Sequence, residues 1–444
     1  MDQVANYKLS NYVTKVFETP STNCSEWFGY YNYDTLNDNQ TKLLCGRSMV
    51  DGVNPSKYIS IELGYYDIPS GLWHHIGESD SWNWQQGAML QWLDNENGKE
   101  KVIYNCSKNG HLISRIHNLK TGENRDIDWP IYGITPDGKK SITLDLERSY
   151  WCRAYHYQSV ANYKKDGRVY EDDGIYEIDL DNNTKKTIIT IQDIINTDYR
   201  PYFAEQKHWL EHIMISPSGK RFCFLHRFSP INNIMSYETR LFIANIDGSD
   251  LQCINGWDRV QWSHFGWCGD ESFTIYTCYP SRLKTFPTNV ILTRERFSIK
   301  EISKIIIRKS ISYLPHKLAV SLGSAHSSYQ FYSYCNNMFK LQYDIAPKQS
   351  RIDGHPSFTS DGSFMITDTY GDKQSWQSLY LYDLKTKKSI TLARFFAFYN
   401  KKAASCDLHP KLCVNNNYIV VDTAYNDKHH MVVLKIDWSL IPTK

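Results

Sequence analysis

No two of the 11 cysteines in this chain are separated by just two residues, and the count is odd. That excludes a CxxC redox motif or a zinc-ribbon pattern and argues against a disulfide framework. Several cysteines fall inside strand-like runs such as Arg221-Phe222-Cys223-Phe224, which reads as small buried thiols in a reducing cytoplasm. Long apolar runs are also missing: none approaches the ~18 residues that a membrane-spanning helix requires. The first residues, Met1 to Thr14, carry Asp2 and Lys8 and lack the apolar centre of a secretory signal, so a cytoplasmic location is expected. Charge of one sign is scarce too. The 50 basic and 48 acidic side chains leave a net charge of +2, too weak a field to draw in nucleic acid or a membrane surface. There is no GxSxG elbow, no GxxxxGK[ST] loop and no GxGxxG turn, so a serine hydrolase, a P-loop enzyme and a dinucleotide-binding dehydrogenase are unsupported. Helical 3.6-residue patterning is nearly absent; short exceptions such as Ile191–Ile195 read as loop turns.

What is abundant is aromatic and apolar surface. With 32 Tyr and 13 Trp, the chain can build a large core. Its 444 residues would ordinarily make two or three domains. A repeat explains the length better. A polar turn followed by an apolar strand recurs at Asn37–Arg47, Asn95–Cys106, Thr135–Asp145 (TPDGKKSITLD), Ser216–Arg227 (SPSGKRFCFLHR), Cys268–Cys278, Thr359–Tyr370 (TSDGSFMITDTY) and Val414–Tyr425. Partner strands of alternating apolar and polar residues follow, at Tyr58–Trp73, Leu112–Arg125, Gly174–Lys185, Arg240–Leu251, Leu379–Lys388 and Met431–Ser439. A pair of β-sandwiches or an irregular all-β fold is the competing reading. Seven regular units favour an all-β, seven-bladed β-propeller of four-stranded antiparallel blades, a single domain over 1–444, because a closed ring leaves no long sheet edge exposed. Two segments are long for blade connections, Ser149–Glu171 and Lys304–Ile352, and are expected to wall a site on one face.

Histidines concentrate just before the first strand of the later units: His208 and His212 (HWLEH), His264 (WSHFGW), His355 (DGHPSF) and His409 (CDLHPK), with His226 closing the strand FCFLHR. Any one of them alone reads as a hydrogen-bonded structural residue. Equivalent positions of successive blades converge on the propeller axis, so as a set they read as one pocket. Asp353 and Asp407 stand two residues before His355 and His409, and in extended chain i and i+2 point the same way. Imidazoles with a carboxylate suit a divalent ion. A second constellation joins Arg240, Arg227 and Arg153 with Tyr155 and its aromatic neighbours, since arginine grips carboxylates and aromatic faces stack on sugars. Trp82, Trp84 and Trp92 read as packing between blades, and Gln85 and Gln86 beside them as something more specific.

The order HWLxH, a strand ending in His, Arg240, SHF, HPSFxxDG and xHP resembles the oligogalacturonate lyases over roughly Lys207 to Leu440. WNWQQGAMLQW, SHFGW, DGHPSF, TDTY and CDLHP look more like an uncharacterised bacterial propeller group near those lyases. The lyases are cytoplasmic seven-bladed propellers that cleave uronate-containing oligosaccharides by β-elimination. The resemblance implies that Arg240 and His264 are catalytic and that His355 and His409 hold a divalent ion, manganese first, with calcium and zinc as alternatives. Asp407 stands where the family has a further histidine, and Ala404 where it has a glutamine. The expectation is therefore an enzyme, a polysaccharide lyase acting on an acidic oligosaccharide. The metal is held by His355, His409 and Asp407, and substrate is contacted by His208, His212, His226, Arg227, Arg153 and Tyr155. A non-catalytic glycan-binding or scaffold propeller is the alternative, and a metal-dependent hydrolase a third.

Overall fold

The computed structural model describes residues 6–20, 23–50, 59–93, 100–152, 167, 169–231, 237–254, 261–280, 325–345, 353–396, 406–413 and 415–442. Its strands form seven antiparallel sheets, and the chain is a seven-bladed β-propeller. Blades 1 to 7 occupy residues 25–79, 91–127, 133–190, 206–254, 261–345, 357–396 and 411–436. The strands follow sequence order from the axis outward, except for one outermost strand in each of blades 6 and 7. The ring is closed by the beginning of the chain. Val13–Glu18 pairs antiparallel with Lys428–Ile436 as the outer strand of blade 7, and Tyr7–Leu9 adds a fifth strand to blade 6.

Each recurring polar turn joins a blade's first strand to its second. In Thr135–Gly138 the Thr135 hydroxyl donates to Asp137 at 2.6 Å, the Gly138 amide donates to the Thr135 carbonyl at 2.8 Å, and Gly138 has φ +68°. Thr359–Gly362 repeats this, with Gly362 at φ +69°. Glycine is needed because L side chains rarely take that conformation. The second strands that follow are the seven apolar runs of the repeat, and they are buried: Arg221–Pro230 is covered at every position but its two ends. Facing blades interdigitate Ile, Leu, Phe and Trp in one broad core over blades 2 to 5 and smaller ones elsewhere. Trp82 and Trp84 do pack between blades, against Trp27 of blade 1, at 5.6 and 4.8 Å between ring centroids. Cys45, Cys106, Cys152 and Cys223 are buried thiols. Among the described residues, no helix is long and apolar enough to cross a membrane.

Two sequence expectations need correction. Ile191–Asn196 is a helix rather than a loop turn. A capping box holds its start: the Asp193 amide donates to the Thr190 hydroxyl at 3.1 Å, and the Thr190 amide to the Asp193 carboxylate at 3.0 Å. Much of Lys304–Ile352 is not loop, because Ala325–Cys335 and Met338–Ile345 are the third and fourth strands of blade 5. The Tyr-, Ser- and Gln-rich sequence conceals a buried strand because its polar groups are satisfied inside the sheet pack. The Tyr329 hydroxyl bonds Thr367 at 3.0 Å, and the Tyr332 hydroxyl donates to Gln330 at 3.0 Å. Ser149–Glu171 begins within the helix Leu146–Cys152, and residues 153–166 lie outside the described ones.

Because the strands alternate in direction, connections from second to third strands and from one blade to the next open on one face. The connections of blades 3 and 5 that are longest in sequence, after Leu144 and after Pro280, are of this second-to-third-strand kind. On the opposite face a cavity of about 520 Å³ is rimmed by the first-to-second-strand turns, among them Thr135, Ser216 and Thr359. Tyr31 and Tyr33, from the segment that follows the first strand of blade 1, border this cavity. Tyr31 also lies 5.1 Å from the His355 ring, so this segment separates the cavity from the histidine cluster.

Candidate functional site

Four histidines stand at one offset in four successive blades. His212, His264, His355 and His409 are each three residues before the end of their blade's innermost strand, which falls at Ile215, Trp267, Phe358 and Leu412. The fold brings all four together. The rings of His264 and His355 are 4.1 Å apart between centroids, and those of His355 and His409 4.4 Å. Tyr30 touches every one of them, at 5.2 Å from His212 and His409, 6.3 Å from His355 and 6.5 Å from His264.

The backbone is adjusted to point these side chains. His212 and His264 both sit where the pairing register shifts, between Glu211 and Met214 and between Trp262 and Phe265. Such bulges re-aim side chains. His212 and His409 have φ of +57° and +44°, a left-handed conformation that costs a non-glycine residue free energy and clusters at functional sites.

His355 is held from behind. Its Nδ1 lies 3.0 Å from both oxygens of Asp368, whose Oδ1 also accepts from the His355 amide at 2.7 Å. That places the proton on Nδ1 and leaves the lone pair on Nε2, which is buried without a hydrogen-bond partner. The carboxylate–imidazole arrangement is the one that orients metal-binding histidines. Gly354 permits it, because a methyl group there would collide with Asp368. His409 Nε2 is likewise buried and unpartnered. Ligand atoms of His355, His409 and Asp407 lie within 4.8 Å of one another. Burial, with the neighbouring imidazole of His264, keeps His355 far below its ordinary pKa; burial and His355 do the same for His409. Neutral imidazoles beside a carboxylate are what a divalent cation requires, and the residues fit such an ion.

His264 has the opposite electrostatics. Burial disfavours its charged form, but Asp353 Oδ1 lies 3.0 Å from Nδ1, with Asp407 and Asp368 beyond, and the carboxylates raise its pKa. Asp353 is pulled down in turn, because His264 and the Ser263 hydroxyl, donating at 2.6 Å, outweigh its burial. Asp353 thus partners His264 of the neighbouring blade. In the metal-free protein the His264 ring is charged below its pKa and neutral above it, with the midpoint above the ordinary 6.5. Histidine NMR titration of metal-free protein checks this, and Asp353→Asn lowers the midpoint.

Beside the cluster, Gln86 donates to the Tyr132 hydroxyl at 2.7 Å and lies 3.4 Å from His212 Nδ1. His212 Nε2 lies 3.4 Å from Glu211 Oε2, which is also 3.3 Å from Arg227 Nε.

Arg240, His226 and His208 form a separate buried chain. Arg240 Nε donates to His226 Nδ1 at 3.1 Å, His226 Nε2 lies 3.0 Å from His208 Nδ1, and His208 Nε2 lies 2.9 Å from the Phe203 carbonyl. The Arg240 Nη atoms donate to the Thr197 and Ile194 carbonyls at 2.6 and 2.8 Å, capping the helix Ile191–Asn196. Burial keeps both histidines neutral, with His208 pulled down to about 4. Arg240→Ala strips three acceptors of their donor, and unfolding by denaturant should show a loss of about 2–5 kcal/mol. Arg153 and Tyr155 lie outside the described residues.

Sequence reasoning overlooked Tyr30, Asp368 and Glu211. The run Tyr30-Tyr31-Asn32-Tyr33 is the one visible signal for the first, being aromatic without strand alternation.

Comparison with solved structures adds the architecture. An oligogalacturonate lyase in complex with manganese matches 96% of this chain and 93% of its own, with a TM-score of 0.59 at 15% identity. An oligogalacturonate lyase from Vibrio parahaemolyticus matches 98% of each chain, with a TM-score of 0.60 at 13% identity. The fold is that of the oligogalacturonate lyases. At these identities the likeness is one of fold. No family model matches the chain, and no curated protein does.

Proposed function

We propose that this chain is a polysaccharide lyase that cleaves a uronate-containing oligosaccharide by metal-assisted β-elimination. The observation that carries the reading is that His355 and His409, each with a buried, unpartnered Nε2, bring ligand atoms within 4.8 Å of one another and of Asp407, beside His264. Unsatisfied buried polar atoms are costly, and two in one cluster of metal-ligating side chains call for a ligand. His355, His409 and Asp407 would hold a divalent ion, manganese by analogy with the similar lyase structure. Bound there, the ion would offset the charge of the uronate carboxylate and of the enolate-like transition state.

The chain's own residues do the rest. His264, partly exposed and aligned by Asp353, takes the proton from the carbon alpha to the carboxylate. The electron pair left behind forms a carbon–carbon double bond as the bond from the adjacent carbon to the glycosidic oxygen breaks. The leaving oxygen takes a proton from solvent and departs as a hydroxyl. Tyr30 floors the site and fixes the imidazoles against one another. Arg240 acts as a positioning residue through His226 and the Ile191–Asn196 helix.

Reaction in ¹⁸O-labelled water tests this. Elimination leaves both product ends free of label apart from slow exchange at the reducing carbon, and each cleavage creates one double bond. One ¹⁸O per cleavage with no double bond would make the protein a hydrolase.

A further inference from the structure

Arg227 is a buried arginine whose donors are not used up. Its side chain is 7% exposed, yet Nε and Nη1 make no hydrogen bond. It lies on the second strand of blade 4, three residues before that strand ends at Pro230, on the face that carries the long connections. Its guanidinium sits 4.6 Å from the ring centroid of Tyr237, on the connection that follows. Glu211 stands beside it as an ion-pair partner, and that carboxylate is itself fixed, since Oε1 accepts from the Trp209 indole at 2.7 Å. Oε2 is shared with His212, one of the four clustered imidazoles. Arg240, by contrast, spends Nε and both Nη atoms on groups of the protein.

A buried guanidinium with idle N–H groups costs free energy that an incoming oxygen pair would recover. Nε faces Glu211 Oε2 at 3.3 Å, and the edge formed by Nη1 and Nη2 matches a carboxylate in two parallel hydrogen bonds, which a lone hydroxyl does not offer. Tyr237 and Glu211 hold the group in place, so little side-chain entropy remains to be lost on binding. One imidazole and one carboxylate separate Arg227 from the trio His355, Asp407 and His409. A uronate carries one carboxylate, so with that of the reacting sugar at the trio, a carboxylate held at Arg227 would belong to a different sugar.

We propose that Arg227 is an anion anchor, positioned by Glu211 and Tyr237, that binds the carboxylate of a uronate residue adjoining the reacting sugar and so selects oligouronates over neutral or esterified oligosaccharides. The assignment rests on the lyase reading of the neighbouring cluster.

The test uses the full chain loaded with manganese and carrying His264→Asn, so that ligand is not consumed. Calorimetry compares trigalacturonate with its fully methyl-esterified form. The acid should bind about tenfold tighter or more, the worth of one charge-assisted pair. Adding Arg227→Gln cuts that preference about tenfold, leaving only the share due to the carboxylate at manganese, and Arg227→Lys, which keeps the charge without the fork, loses most of the same share; manganese affinity stays within twofold in both. An acid preference undiminished in either variant overturns this assignment and leaves the lyase reading intact. A parent protein that binds manganese but neither trigalacturonate nor any alginate, glycosaminoglycan or capsular uronate oligosaccharide overturns the uronate reading itself, and the anchor with it.

Discussion

His264→Asn lowers kcat for uronate elimination by about 10²- to 10⁴-fold, the range a positioned general base contributes. His264 has the geometry for the role. Nδ1 is committed to Asp353 at 3.0 Å, so the ring is oriented and Nε2 is left to face substrate. With Asp353 it is less enclosed than His355, whose side chain is 1% exposed against 12% for His264. The drop should appear in kcat with manganese affinity unchanged, because His264 is not one of the trio that converges on the ion site. A residue that merely packs against His355 would lower both together. Asp353→Asn keeps an acceptor near Nδ1 but removes the charge, so it should lose part of the rate and lower the pH at which the remaining activity appears.

The second large effect concerns the metal. His355→Ala removes one of two buried imidazole donors and should weaken manganese binding by about 100-fold or more. Asp368→Asn leaves every proposed ligand in place but loosens the Nδ1 anchor of His355, and loss of a carboxylate that orients a metal-binding imidazole costs about 10- to 100-fold in metal affinity. Stability gives a readout independent of activity. An ion that binds only the folded state adds about 2.7 kcal/mol at a concentration 100 times its Kd. Thermal unfolding of the wild-type protein should therefore shift upward as manganese is titrated, and His355→Ala should show no shift in the same range. Asp368 must be charged to do its work, and burial pushes its carboxyl up to about 6. Metal binding should accordingly weaken as the pH falls through that value, an effect added to proton competition at the imidazoles.

The sequence was informative where a physical rule repeats. A polar turn and a buried second strand recur from blade to blade because each blade solves the same packing problem, with a left-handed glycine in the turn at Gly138, Gly219, Gly269 and Gly362, so the propeller was legible from Thr135–Asp145 and its counterparts. The histidines were legible for the same reason: a fixed offset from a strand end becomes one place on the axis once the ring closes. Two kinds of information were hidden. Which histidine joins which network depends on a local bulge. His208 and His212 share one innermost strand, yet the register shift after Glu211 turns His212 to the axis while His208 stays with His226 and Arg240. Partners from distant chain were also hidden. Tyr30, Asp368 and Glu211 act on the cluster through contacts that spacing cannot encode, and the Asp353–His264 bond joins neighbouring blades although Asp353 stands beside His355 in sequence. Arg240 illustrates the converse. Its position in the motif order pointed to chemistry, whereas its nitrogens are spent holding a helix end to blade 4.

The most direct test of the central claim is the ultraviolet absorbance of the product when the purified protein is incubated with uronate oligosaccharides, first stripped by chelator and then resupplied with manganese. The stripped protein should be silent. Absorbance from a new carbon–carbon double bond should appear on resupply and should be lost again in His355→Ala. No absorbance with any pectic, alginate, glycosaminoglycan or bacterial capsular substrate, from protein that has bound its manganese, would contradict the account.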